Sequence, residues 1–289
     1  MLAKINTAQD IADHKNYNRD YDEIIPDLQN PNVVENIANH IQPACVFDEM
    51  FSQEELTWIY GFGFSRCATA RYNKNGTMFM SGNLEAVFEK FRDKIEIILP
   101  DASKSPVIGG NFFITPSQYG LHNDSMRKSD WEQSLNHIDR NDPKRKYVPW
   151  RNVIIPIMFA HPHCVSDIVF FKQRHIDWSH VYNHGNKIKS ATTYDVVDDH
   201  SKIVFHTDQG IQTGNDNLKP YNQEHYNQYL SHTPYERLCG LEPEFTCEWK
   251  PGCPIVFDAF QLHATNKGRG DNLWQIKMGL LLCFMREIT

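Results

Sequence analysis

Tyr119-Gly120-Leu121-His122-Asn123-Asp124 places an imidazole and a carboxylate two residues apart, just past a strand-like run at 111–115. Residues i and i+2 of an extended chain share a face, so both side chains can aim the same way. Far downstream, Trp249-Lys250-Pro251-Gly252-Cys253-Pro254-Ile255-Val256-Phe257-Asp258 reads as a turn followed by a buried strand. Phe260-Gln261-Leu262-His263 then delivers a second imidazole at the strand end. Between these islands lie short runs rich in Val, Ile and Phe, separated by Gly, Pro, Asn and Asp. They fall at 111–115, 152–159, 168–172, 202–205, 245–249, 254–260 and 274–284. No helix alternates with them, so they predict an antiparallel sandwich rather than a doubly wound sheet.

The first hundred residues read differently. Residues 1–43 are polar and Asn- and Asp-rich, forming loops and short helices on the body that follows. Ala44-Cys45-Val46-Phe47 is a short strand, and Ser52-Gln53-Glu54-Glu55 is a capping box that opens a helix through Trp58 and Ile59. A second helix is expected over 83–99, where Leu84, Val87, Phe88, Phe91, Ile95 and Ile98 make one apolar stripe. Tyr221, Tyr226, Tyr229 and Leu230 suggest a helical insertion within 215–242.

Composition excludes several classes. Forty per cent hydrophobic and 12 % aromatic residues suffice for a packed core. A formal net charge of -7 argues against broad phosphate binding, and hence against a nucleic-acid partner. The run Lys144-Arg145-Lys146 reads as a solvated loop. Seven cysteines without a Cys-x-x-Cys pair point to reduced, buried thiols; a zinc site on Cys247 and Cys253 is the minor alternative. Residues 1–15 lack an apolar signal core, and the longest apolar run, 273–285, is too short for a membrane span. The expectation is a cytoplasmic protein with no membrane partner.

A His-x-Asp triplet is weak evidence in a chain with 14 histidines. The pattern recurs at His137/Asp139, His175/Asp177 and His206/Asp208. The first two of these lie in polar loop or helical segments. His206/Asp208 is the rival, because it too follows a strand. It leaves too few strands before His263 to bring a third ligand back across a closed sandwich, so His122/Asp124 is preferred. Two imidazoles and one carboxylate on one face of a metal make the facial ligand set of non-haem Fe(II) oxygenases. Asp258, five residues before His263, either orients a ligand from behind or fixes the turn.

These residues together resemble the 2-oxoglutarate/Fe(II)-dependent dioxygenase superfamily, of the phytanoyl and prolyl hydroxylase kind. Thr115 to Asp124 looks like the family's approach to His-x-Asp, and Pro251 to His263 like its turn and strand before the distal histidine. Val46-Phe47-Asp48-Glu49-Met50-Phe51-Ser52 is similar to its opening segment. The likeness spans roughly 44–286. It implies a mainly β fold, a double-stranded β-helix (jelly roll, cupin-like) with flanking α-helices. It implies His122, Asp124 and His263 as iron ligands, with Fe(II), 2-oxoglutarate as co-substrate and dioxygen as the cofactors. A single oxygenase domain over 1–289 is then expected: an N-terminal extension at 1–43, a leading strand and helices at 44–110, and a jelly-roll core at 111–286 with an insertion at about 174–244.

The family also places a cation on the strand after the distal histidine, against the far carboxylate of 2-oxoglutarate. Lys277 fits, although arginine is commoner and the spacing from His263 is long; Arg269 and Arg151 remain alternatives. A cation within an apolar strand is costly unless an anion meets it. Asn111, Gln118, Tyr119 and Asn152 are candidates for hydrogen bonds to the co-substrate, or are structural. The resemblance implies hydroxylation of an unactivated C–H bond, of a small molecule first and a protein side chain second. Asp124 argues against halogenase variants, which lack the carboxylate. A cupin-like isomerase or epimerase would use the metal ligands without Lys277. Oligomeric state is not legible.

Overall fold

Side chains alternate along the last strand, and both of its faces are covered. The computed structural model describes residues 30–66, 69–72, 77–81, 84–105, 108–115, 120–124, 146–159, 166–174, 181–184, 187–190, 204–207, 210–213, 219–235, 238–266 and 276–288. Strand β14 (Lys277–Ile288) turns Met278, Leu280, Leu282 and Phe284 to one side and Leu281 and Cys283 to the other. Burial on both faces explains why this strand is a continuous apolar run instead of alternating apolar and polar residues.

The main sheet runs β1 (Cys45–Val46), β12 (Ile255–Asp258), β5 (Lys146–Phe159), β14, β4 (Ile108–Thr115), β3 (Met78–Ser81), β2 (Thr69–Tyr72). In the second sheet, β6 (Asp167–Arg174) pairs antiparallel with β11 (Pro243–Glu248) and β13 (Gln261–Thr265). Strands β9 (Val204–Thr207) and β10 (Gly210–Thr213) extend that sheet from Arg174, and β7 (Val181–His184) pairs with β8 (Lys187–Ser190). From β11 onward the chain steps from one sheet to the other with each strand. That stepping between two facing antiparallel sheets is the double-stranded β-helix that the resemblance implies, built from the antiparallel sandwich that the apolar runs predict.

Three apolar layers hold it together. Phe170, Phe257, Trp249, Ile154, Leu281 and Cys283 fill the space between the sheets. Helices α2 (Gln53–Arg66), α3 (Leu84–Lys90) and α4 (Arg92–Ile98) cover the outer face of the main sheet through Ile59, Val87, Phe88 and Ile95. Tyr221, Leu230, Leu238 and Leu241 cover the outer face of the second sheet over Val169, Phe171, Leu262 and Ala264. Among the described residues of the expected helical insertion, α5 (Gln223–His225) is followed by a π-turn over Tyr226–Leu230. Helix α1 (Pro31–Ala38) packs Ile37 against Val148, Phe260 and Ile288. No helix among the described residues is long and apolar enough to cross a membrane.

The capping box at α2 is reciprocal, with Ser52 N donating to Glu55 Oε2 (2.8 Å) and Glu55 N to Ser52 Oγ (3.2 Å). The helix expected over 83–99 is broken at Phe91, whose ring meets Phe51 and Trp58 edge-on at 5.5 and 5.6 Å. The 254–260 strand ends earlier than expected, at Asp258. A turn at Ala259-Phe260 then carries His263 onto a separate strand, β13, in the opposite sheet.

Asp258 does not orient a metal ligand. It lies on the side of β12 away from Phe257 and takes Arg151 Nη1 at 2.7 Å and Arg174 Nη2 at 3.1 Å. Arg151 also donates to the carbonyls of Gln42 and Pro43, and Arg174 also pairs with Glu244. The network fastens residues 42–44 to the sheets. Asp258→Ala leaves the buried Arg151 guanidinium without its carboxylate and Arg174 with Glu244 alone, and is expected to lower stability by about 3–5 kcal/mol. Urea unfolding measures this, and a loss below about 1 kcal/mol would show the network to be incidental.

Candidate metal centre

His122 and His263 meet through the backbone before their side chains meet. His122 N donates to His263 O (2.9 Å) and His263 N to His122 O (2.8 Å), an isolated antiparallel bridge that lays residues 120–124 beside β13. Alternation then sorts the neighbours. Leu121, Leu262 and Ala264 join the outer apolar layer. The two imidazoles point the other way, with ring centroids 4.2 Å apart. Asp124, two residues from His122, falls on the same side. Its Oδ1 lies 3.6 Å from His122 Nε2 and its Oδ2 3.3 Å from His263 Nε2. One donor atom from each residue fits within a 4.8 Å span, so the three could hold a metal ion together.

Both rings are held in the form that a metal needs. His122 Nδ1 sits 2.7 Å from Gly120 O, and His263 Nδ1 sits 3.0 Å from Gln261 O. A carbonyl only accepts, so these contacts favour an imidazole protonated at Nδ1, the tautomer that offers Nε2 to a metal. Phe170 and Phe257 lie 5.3 and 5.0 Å from the His263 ring and fix its plane within an apolar wall. Asn152 Nδ2 donates to the Asp124 carbonyl (3.3 Å), which sets the backbone from which the carboxylate projects.

Two buried acceptors nearby lack hydrogen-bond partners among the described residues, Asn152 Oδ1 and Asn111 Oδ1. Asn152 lies opposite Cys283 and Asn111 opposite Leu281, so both face the space between the sheets. Buried polar groups are rarely left unmatched, and a polar occupant of this interior would satisfy them. The donor set and the orphaned acceptors together fit a metal with a small polar ligand.

Lys277 opens β14 on the same interior face. It is 4 % exposed, and its Nζ donates to Ser166 Oγ (3.1 Å) and lies 5.1 Å from the Trp249 ring. Burial pulls its pKa down to about 7, against the opposing pull of Asp167. Burial also pushes the neighbouring Cys247 thiol up to about 12, so no thiolate serves as a counter-ion at neutral pH. Arg151, the alternative cation, is spent on Asp258 and the carbonyls of residues 42 and 43, away from this interior. Gln118, Tyr119, Arg269, Asp208 and the triplets at 137 and 175 lie outside the described residues. Ser166 and Trp249 at the lysine head were not singled out from the sequence. Trp249 beside Lys250-Pro251-Gly252 was the available signal, read there as part of a turn.

No protein-family model matches the chain, and no curated protein does. Solved structures that it resembles include a prolyl-4-hydroxylase from Pseudomonas putida, 11 % identical over 88 % of this chain and 97 % of that one, with a TM-score of 0.41. The non-haem alpha-ketoglutarate-dependent epimerase SnoN is 8 % identical over 89 % of this chain and 84 % of that one, at 0.41. HygX from Streptomyces hygroscopicus, solved with nickel, 2-oxoglutarate and hygromycin B, is 10 % identical over 86 % and 85 %, at 0.38. Identities this low leave the functional reading to the geometry of the centre.

Proposed function

We propose that this protein is an Fe(II)- and 2-oxoglutarate-dependent dioxygenase that hydroxylates an unactivated C–H bond of a small-molecule substrate. The observation that carries the reading is the convergence of His122, Asp124 and His263, whose donor atoms lie close enough together to hold one cation. His122 Nε2, His263 Nε2 and an Asp124 oxygen would hold the iron. Gly120 and Gln261 fix the imidazole tautomers, an outer shell that matters to metal affinity almost as much as the ligands. Lys277 would hold the far carboxylate of 2-oxoglutarate, because its buried head donates to the Ser166 hydroxyl while Asp167 offsets its desolvation only in part. Bound together, iron, 2-oxoglutarate and dioxygen supply the oxidation, which gives hydroxylated product, succinate and carbon dioxide. Phe170 and Phe257 keep water from the rear of the centre.

Anaerobic titration with Fe(II) and then 2-oxoglutarate tests this. The expected result is a metal-to-ligand charge-transfer band that needs both additions, followed in air by slow succinate formation without substrate. Tight metal binding with no response to 2-oxoglutarate would favour a cupin-like isomerase instead.

A further inference from the structure

Gln261 is fully buried, and both hydrogens of its side-chain amide are spent. Its Nε2 donates to Phe171 O (2.9 Å) and to Glu244 Oε2 (2.6 Å). A carbonyl and a carboxylate only accept, which settles the way the amide points. The amide oxygen, Oε1, is buried and has no hydrogen-bond partner among the described residues. An unmatched buried acceptor costs free energy, so the position tolerates a poor acceptor site in order to keep two good donor contacts.

Those contacts lie at an interruption in the sheet. Gln261 of β13 is opposite Arg174 of β6, yet His263, two residues on, is opposite Phe170, four residues back. The surplus residues of β6 form a bulge, and a bulge breaks the ladder and re-aims the side chain beside it. One amide ties β13 to β6 and to β11 across that break, through Phe171 O and Glu244. Glu244 is itself held, because its carboxylate accepts from Ala44 N (3.1 Å) and from Arg174 Nη1 (3.3 Å). At its main chain, Gln261 presents the carbonyl that lies 3.0 Å from His263 Nδ1. A single residue is thus clamped by its side chain and holds an imidazole by its backbone.

We propose that Gln261 is a positioning residue for His263: the clamped amide keeps the Gln261 carbonyl where it sets the rotation of the ring and turns Nε2 toward the metal, and Glu244 anchors the clamp from β11. This inference rests on the metal centre described under Proposed function, and the experiment separates the two.

Co(II) is titrated into wild type, Gln261→Leu, Glu244→Ala and Glu244→Gln. Calorimetry reads the affinity, and proton NMR reads the exchangeable, hyperfine-shifted Nδ1–H signals of the ligating imidazoles. Wild type shows two such signals, one from each histidine. Gln261→Leu keeps the main-chain carbonyl and removes the amide. It shifts one signal or loses it to solvent exchange, leaves the other in place, and weakens Co(II) about tenfold, the low end for a partner that orients a metal ligand. Glu244→Ala moves the same signal with a smaller loss of affinity. Glu244→Gln, whose amide oxygen still accepts from Gln261, restores both. Lower stability of the apo protein in urea with both signals unmoved would make the clamp merely structural and overturn the positioning role, leaving the metal centre intact. Wild type that takes no Co(II) would overturn both readings. Glu244 is only partly buried, so its two variants decide the matter where Gln261→Leu does not fold.

Discussion

Replacing Asp124 with alanine will abolish ferrous ion binding and, with it, every 2-oxoglutarate-dependent signal. In the proposed ligand set two imidazoles, their rings already 4.2 Å apart, would bind the metal as neutral groups, so Asp124 would supply the only negative charge among the three. Its oxygens lie 3.6 and 3.3 Å from the two Nε2 atoms, a position that no water could hold with the same charge. Losing a partner that merely orients a ligand costs about ten- to hundredfold in affinity, and losing the charged ligand itself costs more. The fold should survive. Asn152 holds the backbone carbonyl of Asp124, which alanine retains, and the carboxylate takes part in none of the apolar layers. The check is thermal unfolding with and without metal. A ligand at one hundred times its dissociation constant stabilises the native state by about 2.7 kcal/mol. Wild type should show that rise in Tm, whereas Asp124→Ala should melt at the apo temperature whatever the metal concentration. An Asp124→Ala protein that keeps the metal-induced rise would remove the carboxylate from the ligand set.

What the sequence made legible follows from the range of each interaction. His122 and Asp124 share a face because they are two residues apart, and that rule needs no tertiary structure. The strands of the core were legible as apolar runs, since two covered faces leave no polar alternation to obscure them. The break at Phe91 was not, because the apolar stripe continues through it; at the break the Phe91 ring packs on Phe51 and Trp58, which lie far away in sequence. The corner at Ala259-Phe260 was missed for a similar reason. Periodicity cannot show a chain leaving one sheet for another, so His263 was expected at the end of the strand that is in fact β12. Asp258 was read through its distance from His263. Its actual partners, Arg151 and Arg174, lie 107 and 84 residues away. Lys277 was singled out because the resemblance places a cation on that strand and a cation in an apolar run conflicts with its surroundings, whereas Trp249 and Ser166 conflict with nothing until their neighbours are known.

Affinity for 2-oxoglutarate will fall as pH rises above 7, and Lys277 is the reason. Three elements press on its head: β6 and the preceding residue bring Asp167 and Ser166, the end of β11 brings Cys247 and Trp249, and β14 carries the lysine itself. Desolvation dominates, Asp167 opposes it in part, and the ammonium of the free protein titrates at about 7. A bound carboxylate stabilises the ammonium, so the pKa in the complex is higher than in the free protein. Between those two values the complex holds a proton that the free protein lacks, and binding takes one up. Below about pH 7 both states are charged and affinity is flat. Above it, affinity drops by up to tenfold per pH unit, the limit for one linked proton. Lys277→Arg supplies a charge that does not titrate in this range and should flatten the profile. Lys277→Met should also flatten it, at the weak level that wild type approaches only in alkali. Calorimetry on the Zn(II)-loaded protein, in buffers of differing ionisation heat, reads the proton directly: close to none at pH 6, rising towards one at pH 8.5. The histidine ligands are common to wild type and to Lys277→Arg, so any pH dependence that survives in the arginine variant belongs to the metal. A wild-type profile no steeper than that of the variant would mean that Lys277 does not meet the anion.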